Sequence, residues 1–202
     1  MDRGRDGRAT SHEKYGKCRL EGDNGIMDSL PEYGVDDGCK VVSWPKLLKI
    51  REQWRRDGRV VVWSNGCFDI LHVGHLRSLQ AAKAFGDILV VGLNSDASVR
   101  RLKGPARPVC KSSERAELLA GLACVDRVVV FEEDTPEVAL ERLRPDVHCK
   151  GADYAPPHGM PIPEAAVVEA YGGRVEFLPL LPAVSTSAIL RRIQEENDGT
   201  VG

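Results

Sequence analysis

The chain has 202 residues, 42% of them hydrophobic, enough for one sizeable core without disulfide staples. Lysine and arginine number 28 against 30 aspartates and glutamates, a formal net charge of -2 that offers nucleic acid no general attraction. No apolar stretch approaches the ~18 residues of a membrane span, the first ten residues are too polar for a secretory signal, and cysteines 18, 39, 67, 110, 124 and 149 include no Cys-x-x-Cys pair. The expectation is a cytoplasmic protein with reduced thiols, no membrane or nucleic-acid partner and no metal-ligand cluster.

Residues 1–38 are rich in Gly, Asp, Arg and Ser and show neither helical nor strand period, so a disordered N-terminal extension is expected before a domain at 39–202. Ser43 to Arg56 reads as a capped helix whose apolar side is Leu47, Leu48, Ile50 and Trp54. Strand and helix then alternate. Strands are expected at 59–65, 88–93, 127–131, 146–149 and 174–178, and helices at 75–85, 113–122, 136–143, 162–171 and 185–196. Five short apolar strands separated by helices predict an α/β fold: a Rossmann-like, doubly wound, five-stranded parallel sheet with helices on both faces. Its ligand belongs beyond the carboxyl ends of the strands, where the winding direction reverses.

The segment Asn65-Gly66-Cys67-Phe68-Asp69-Ile70-Leu71-His72-Val73-Gly74-His75 carries most of the functional signal. It follows an apolar strand and leads into a helix, so His72 and His75 stand at a helix start. There they either satisfy a helix cap or donate ring N–H groups to a polyphosphate, which Gly74 would let approach and the helix N-terminus would favour. The spacing His-x-Gly-His arises by accident in roughly one chain of this length in a hundred, and its place after a strand makes accident rarer. Neither a Gly-x-Gly-x-x-Gly turn after the first strand nor a P-loop is present.

Together with Gly86-Asp87, Val91 to Asp96, Leu102-Lys103-Gly104, Arg107-Pro108, Arg115, Val125-Asp126, Asp134-Thr135-Pro136, Pro145-Asp146, Lys150 to Tyr154 and Ser185-Thr186-Ser187, this turn resembles the cytidylyltransferase-like nucleotidyltransferases. Within that superfamily the likeness is to D-glycero-β-D-manno-heptose 1-phosphate adenylyltransferases, over about residues 40–196. The resemblance implies AMP transfer from ATP to a sugar 1-phosphate, giving ADP-heptose and pyrophosphate, with Mg²⁺ bound by the nucleotide and no protein metal site. Many relatives carry a sugar kinase ahead of this domain, and a stand-alone form is expected here, a homodimer being left open. Two alternatives stand beside this reading: a glycerol-3-phosphate-type cytidylyltransferase and a non-catalytic nucleotide-binding regulator. Trp63-Ser64 departs from the Phe-Thr-like pair of the family, a difference assigned to packing.

The resemblance also distributes roles. His72, His75 and Lys103 are the catalytic candidates, with Lys103 in a loop between the second strand and the next helix. Gly66, Cys67, Phe68 and Gly74, then Lys150, Gly151, Asp153 and Tyr154, and finally Ser185, Thr186 and Ser187 are expected to bind nucleotide; Ser185 also reads as a helix N-cap. Asp69 and Asp96, at the ends of the first two strands, either bind sugar hydroxyls or cap turns. Arg115 either reaches the acceptor phosphate or pairs with Glu114 or Glu117. Arg107 is a weaker phosphate candidate.

Overall fold

The computed structural model describes residues 39–198 apart from 156, 158, 160, 161 and 180–184. The expected extension at 1–38 therefore lies outside the described residues. The chain divides at Cys39/Lys40 into two units, and the second is the one described below.

Its elements are α1 (Trp44–Arg56), β1 (Val61–Gly66), α2 (Val73–Lys83), β2 (Ile88–Asn94), α3 (Asp96–Lys103), α4 (Ser112–Gly121), β3 (Arg127–Phe131), α5 (Glu137–Leu143), β4 (Val147–Gly151), a 3-10 turn over Ala152–Tyr154, α6 (Glu164–Ala170), β5 (Arg174–Leu178) and α7 (Thr186–Asp198). All five strands are parallel in the order β3-β2-β1-β4-β5. The chain winds outward from β1 through β2 to β3, then crosses to the other side for β4 and β5. The reversal lies between β1 and β4, and the doubly wound sheet with helices on both faces is the expected one. β2 is buried from Leu89 to Asn94 and β1 from Val61 to Ser64, the continuous burial of parallel strands covered on both faces.

The core centres on Trp63 of β1, fully buried between Trp44 of α1 (ring centroids 6.3 Å apart) and Phe131 of β3 (6.2 Å). The departure Trp63-Ser64 is thus a packing feature, because the indole fills the layer between sheet and α1. α1 begins with Pro45 in its first turn rather than with a side-chain cap, since Ser43 makes no cap hydrogen bond. The buried Arg51 ties this helix to the sheet: it donates to the carbonyl oxygens of Leu143 and Arg144 and pairs with Asp146 at 3.2 Å.

One element differs from expectation. Lys103 was expected in a loop, yet it ends α3. Ser95 caps that helix by accepting from the Ser98 backbone N–H at 3.2 Å, and Val99 is buried beneath it. Eight residues with one buried apolar position give too weak a period to announce a helix; the Ser95-Asp96 start and the Val99/Leu102 spacing were its signal. Gly104, at φ 95°, then turns the chain out of the helix, a conformation that suits a residue without Cβ.

Candidate functional site

Beyond the carboxyl ends of β1, β2, β4 and β5 lies a cavity of about 820 Å³. Gly66, Asn94, Gly151 and Leu178, the last residues of those four strands, all reach it. So do all three catalytic candidates and every nucleotide-binding candidate. Of the three substrate-binding candidates only Asp69 lines it.

The paired histidines form one wall. His72 takes the N-cap position of α2, and its Nδ1 accepts from the His75 backbone N–H at 3.3 Å. In the neutral ring the proton is then on Nε2, which becomes the donor left for a ligand. The two rings stack with centroids 3.8 Å apart and planes 16° from parallel, and Phe68 meets His75 edge-on at 5.0 Å. The cap and the ligand-donor readings of His72 are therefore compatible, since they use different nitrogens. Burial lowers the pKa of His72; burial and then the neighbouring His72 push His75 down to about 4. In the free protein near neutral pH both rings are uncharged N–H donors. Phe68 has φ 44°, an unusual conformation for a residue with a side chain, and its ring lies where a Cβ on Gly66 would stand 3.2 Å from Cε2. Gly66 is what lets the turn fold back on itself.

The start of α7 adjoins the same turn. Ser185 Oγ accepts from the Ala188 N–H at 3.2 Å, so the expected N-cap is present, and Thr186 Oγ1 reaches the Ile70 carbonyl at 3.5 Å. Two helix N-termini, those of α2 and α7, thus border one cavity, with the amide groups and partial positive charge that anions favour. Lys103 lines the cavity from the end of α3, close enough to Cys67 for its charge to lower that thiol's pKa. Burial is the larger effect, and the Cys67 thiol is pushed up and stays protonated. Burial also pushes the Cys149 thiol of the same cavity up to about 12, so both cysteines among the described lining residues are protonated.

The three substrate-binding candidates are engaged with the protein itself, Asp69 in the second of its two expected roles. Asp69 lines the cavity but spends its carboxylate inside the protein: Oδ1 accepts from the Val109 and Cys110 N–H groups at 2.7 and 3.1 Å, and Oδ2 lies 2.6 Å from Arg107 Nε. It anchors the segment after Gly104 over the cavity, and Arg107 comes with it. Arg115 is 1% exposed and does not line the cavity. Its guanidinium donates to the carbonyl oxygens of Cys110, Cys67 and Asn94 and pairs with Asp96 Oδ1 at 2.7 Å rather than with Glu114 or Glu117. It staples the ends of β1 and β2 to α4. Asp96, also outside the cavity lining, is the anion of that staple.

Asn65, Asn94 and Glu164 also line the cavity, without having been assigned a role. Asn65 Oδ1 accepts from Trp63 Nε1 at 3.2 Å. An indole N–H only donates, so the bonded atom is the amide oxygen and the NH₂ group of Asn65 remains to donate. Asn94 is the complement: its NH₂ donates to Ser98 Oγ and to the Glu133 carbonyl, leaving its oxygen as an acceptor. Glu164, from α6, is buried and bonded to Lys150 at 2.7 Å, and Lys150 Nζ also lies 4.4 Å from the Tyr154 ring centroid. The Trp63–Asn65 and Asn94–Ser98 contacts are local, two and four residues apart, whereas only tertiary contact brings Glu164 to Lys150.

The fold and the chemistry facing this cavity are those of a nucleotidyltransferase. The chain belongs to the cytidylyltransferase-like family, whose model matches residues 63–192. It is similar to the bifunctional protein HldE of Citrifermentans bemidjiense, 54% identical over 168 residues, and to that of Syntrophotalea carbinolica, 48% identical over 168. Each match covers 83% of this chain and 34% of the relative, so the chain spans about a third of the length of the curated relatives it matches. The solved structure of pantoate-beta-alanine ligase from Francisella tularensis shares the fold, with a TM-score of 0.50 at 13% identity over 78% of this chain and 76% of that one. No helix among the described residues is long and apolar enough to cross a membrane.

Proposed function

We propose that this domain transfers AMP from ATP to a sugar 1-phosphate, D-glycero-β-D-manno-heptose 1-phosphate, releasing pyrophosphate and forming ADP-heptose. One observation carries the reading: the stacked His72 and His75, the Ser185-Thr186-Ser187 helix start and Lys103 border a single cavity at the switch point of the sheet. The HldE relatives and the motif resemblance to heptose 1-phosphate adenylyltransferases support the choice of acceptor.

In the reaction an oxygen of the sugar phosphate attacks the α-phosphorus of ATP, the new P–O bond forms, and the bond to the departing pyrophosphate breaks. The protein supplies no nucleophile, so alignment and charge stabilisation do the catalysis. His72 Nε2–H and the His75 ring donate to phosphate oxygens as negative charge gathers toward the leaving group, and the amides at the start of α7 hold the outer phosphates. Lys103 bridges the incoming phosphate and the α-phosphate. Mg²⁺ bound with ATP would screen the phosphates. The donor set fits such a nucleotide-borne ion: of the carboxylates lining the cavity, Asp69, Asp134 and Glu164 are paired with Arg107, Arg101 and Lys150, so phosphate oxygens and water, with Asp153 nearby, would be its ligands.

The test is pyrophosphate release across a panel of nucleotides and sugar or alditol phosphates. ATP with the heptose 1-phosphate is expected to be the best pair. CTP with glycerol 3-phosphate as the best pair would replace this reading with a cytidylyltransferase, and no release from any pair would leave a nucleotide-binding module.

A further inference from the structure

The cavity is chemically lopsided. Around the starts of α2 and α7 it offers ring N–H groups, hydroxyls and the ammonium of Lys103. At the β4–β5 side the lining includes Asp153, Tyr154, Leu178 and Pro163, with Lys150 and Glu164. Lys150 looks like a further phosphate ligand, but its charge is already met: Nζ lies 2.7 Å from Glu164 Oε1, and the two side chains are 16% and 5% exposed. The same ammonium lies 4.4 Å from the centroid of the Tyr154 ring. Beneath the pair sits His148, fully buried on β4, its Nε2 3.5 Å from the same carboxylate oxygen without hydrogen-bond alignment.

We propose that Glu164 is a positioning residue for the nucleotide end of this cavity: it neutralises Lys150 and holds its ammonium against the Tyr154 ring, so that this corner receives the uncharged base of the nucleotide rather than a phosphate. The inference rests on the proposed nucleotide site and assigns its orientation. A buried ion pair contributes little net stability compared with well-packed apolar residues, so stability alone gives no reason for a glutamate and a lysine in this wall. Their position does, since both line the cavity. A lysine left uncompensated here would compete with the histidine end for the triphosphate; paired, and with the Asp153 carboxylate alongside, it leaves a wall with no net positive charge and an aromatic ring of the kind on which bases stack. Burial works against ionising Glu164, yet its contacts with His148 and Lys150 outweigh that and hold the carboxyl down to about 2, so the acid is charged at any working pH.

Calorimetric titration of the full chain with ATP, adenosine and inorganic tripolyphosphate tests the assignment. Glu164→Gln is expected to weaken adenosine about tenfold, the size expected when one base–aromatic contact is disturbed, while tripolyphosphate binds as tightly or more tightly because Lys150 is left uncompensated. Tyr154→Ala, a change at a half-buried turn residue that leaves the Lys150–Glu164 pair in place, should weaken ATP and adenosine about tenfold while leaving tripolyphosphate within twofold, even if the glutamate variant fails to fold. Equal losses for ATP and tripolyphosphate, or adenosine binding unchanged by Tyr154→Ala, overturn the inference while the nucleotide site stands. An unaltered chain that binds no ATP overturns the nucleotide site itself and this orientation with it.

Discussion

The indole of Trp63 lies across Gly92 of the neighbouring strand so closely that a Cβ on Gly92 would stand 2.1 Å from Trp63 Cζ2. The glycine leaves the space that the tryptophan fills, and the same indole, through Nε1, fixes the amide of Asn65 at the cavity. Core packing and site geometry meet in that one side chain.

Gly92→Ala is therefore expected to destabilise the fold by about 3 kcal/mol, the upper part of the usual cost of overpacking a core. The melting temperature should drop by roughly 6–12 °C. Adding Trp63→Phe should recover part of the loss, because the smaller ring vacates the contested volume. Additive effects in that double-mutant cycle would show the two residues to be uncoupled.

Asp69 is expected to behave as a structural latch. Asp69→Asn keeps the shape but removes the charge facing Arg107 and weakens the hold on the Val109 and Cys110 amides, at a cost of about 3 kcal/mol, as for breaking a buried pair. Turnover should fall as the segment over the cavity loosens. Unchanged melting with a rise only in the acceptor's Michaelis constant would return Asp69 to the role of sugar ligand.

Arg115→Lys should be destabilising by about 2 kcal/mol or more although it preserves charge. An ammonium cannot reproduce a planar fork that serves three carbonyl oxygens and Asp96 at once. Chemical denaturation measures this directly. A variant of native stability with a raised Michaelis constant for the sugar phosphate would show that Arg115 acts on substrate instead.

His75→Ala and Lys103→Ala are each expected to lower turnover by ~10²-fold or more, the scale for one preorganised donor to a developing oxyanion. Their melting temperatures should change little. His72→Ala should add a loss of about 1 kcal/mol of stability, because His72 also caps α2. Near-native turnover in any folded variant removes that residue from the catalytic set.

Stability should depend on pH through His75. Its folded-state pKa of about 4 lies below the ordinary value of 6.5, so the fold favours the neutral ring. Its contribution is fully present above pH 6.5 and is lost as the pH falls from there through 4. The whole effect is on the order of 3 kcal/mol. Subtracting the pH–stability curve of His75→Gln from that of the unaltered chain isolates it, and a flat difference across this window would contradict the buried, neutral assignment.

The sequence alone determined the sheet and the place of the site. Apolar runs such as Val60 to Trp63 and Ile88 to Leu93 announce parallel strands because both faces are covered, and right-handed crossovers then leave little choice of winding. The histidine spacing and the Ser185 cap were legible for the same reason: they depend on the backbone within a few residues. Side-chain partnerships across elements were not legible. Asp69 could accept from a sugar or from the chain, and only folding put the Val109 and Cys110 amides and Arg107 within reach of it. Arg115 could face solvent, substrate or Asp96, and its burial decided the matter. Glu164 gave no sign at all in the chain, standing 14 residues beyond the lysine it neutralises. Local periodicity is set by covalent neighbours, whereas the commitment of a charge is set by which distant groups share its low-dielectric surroundings, and that is decided only when the tertiary structure closes.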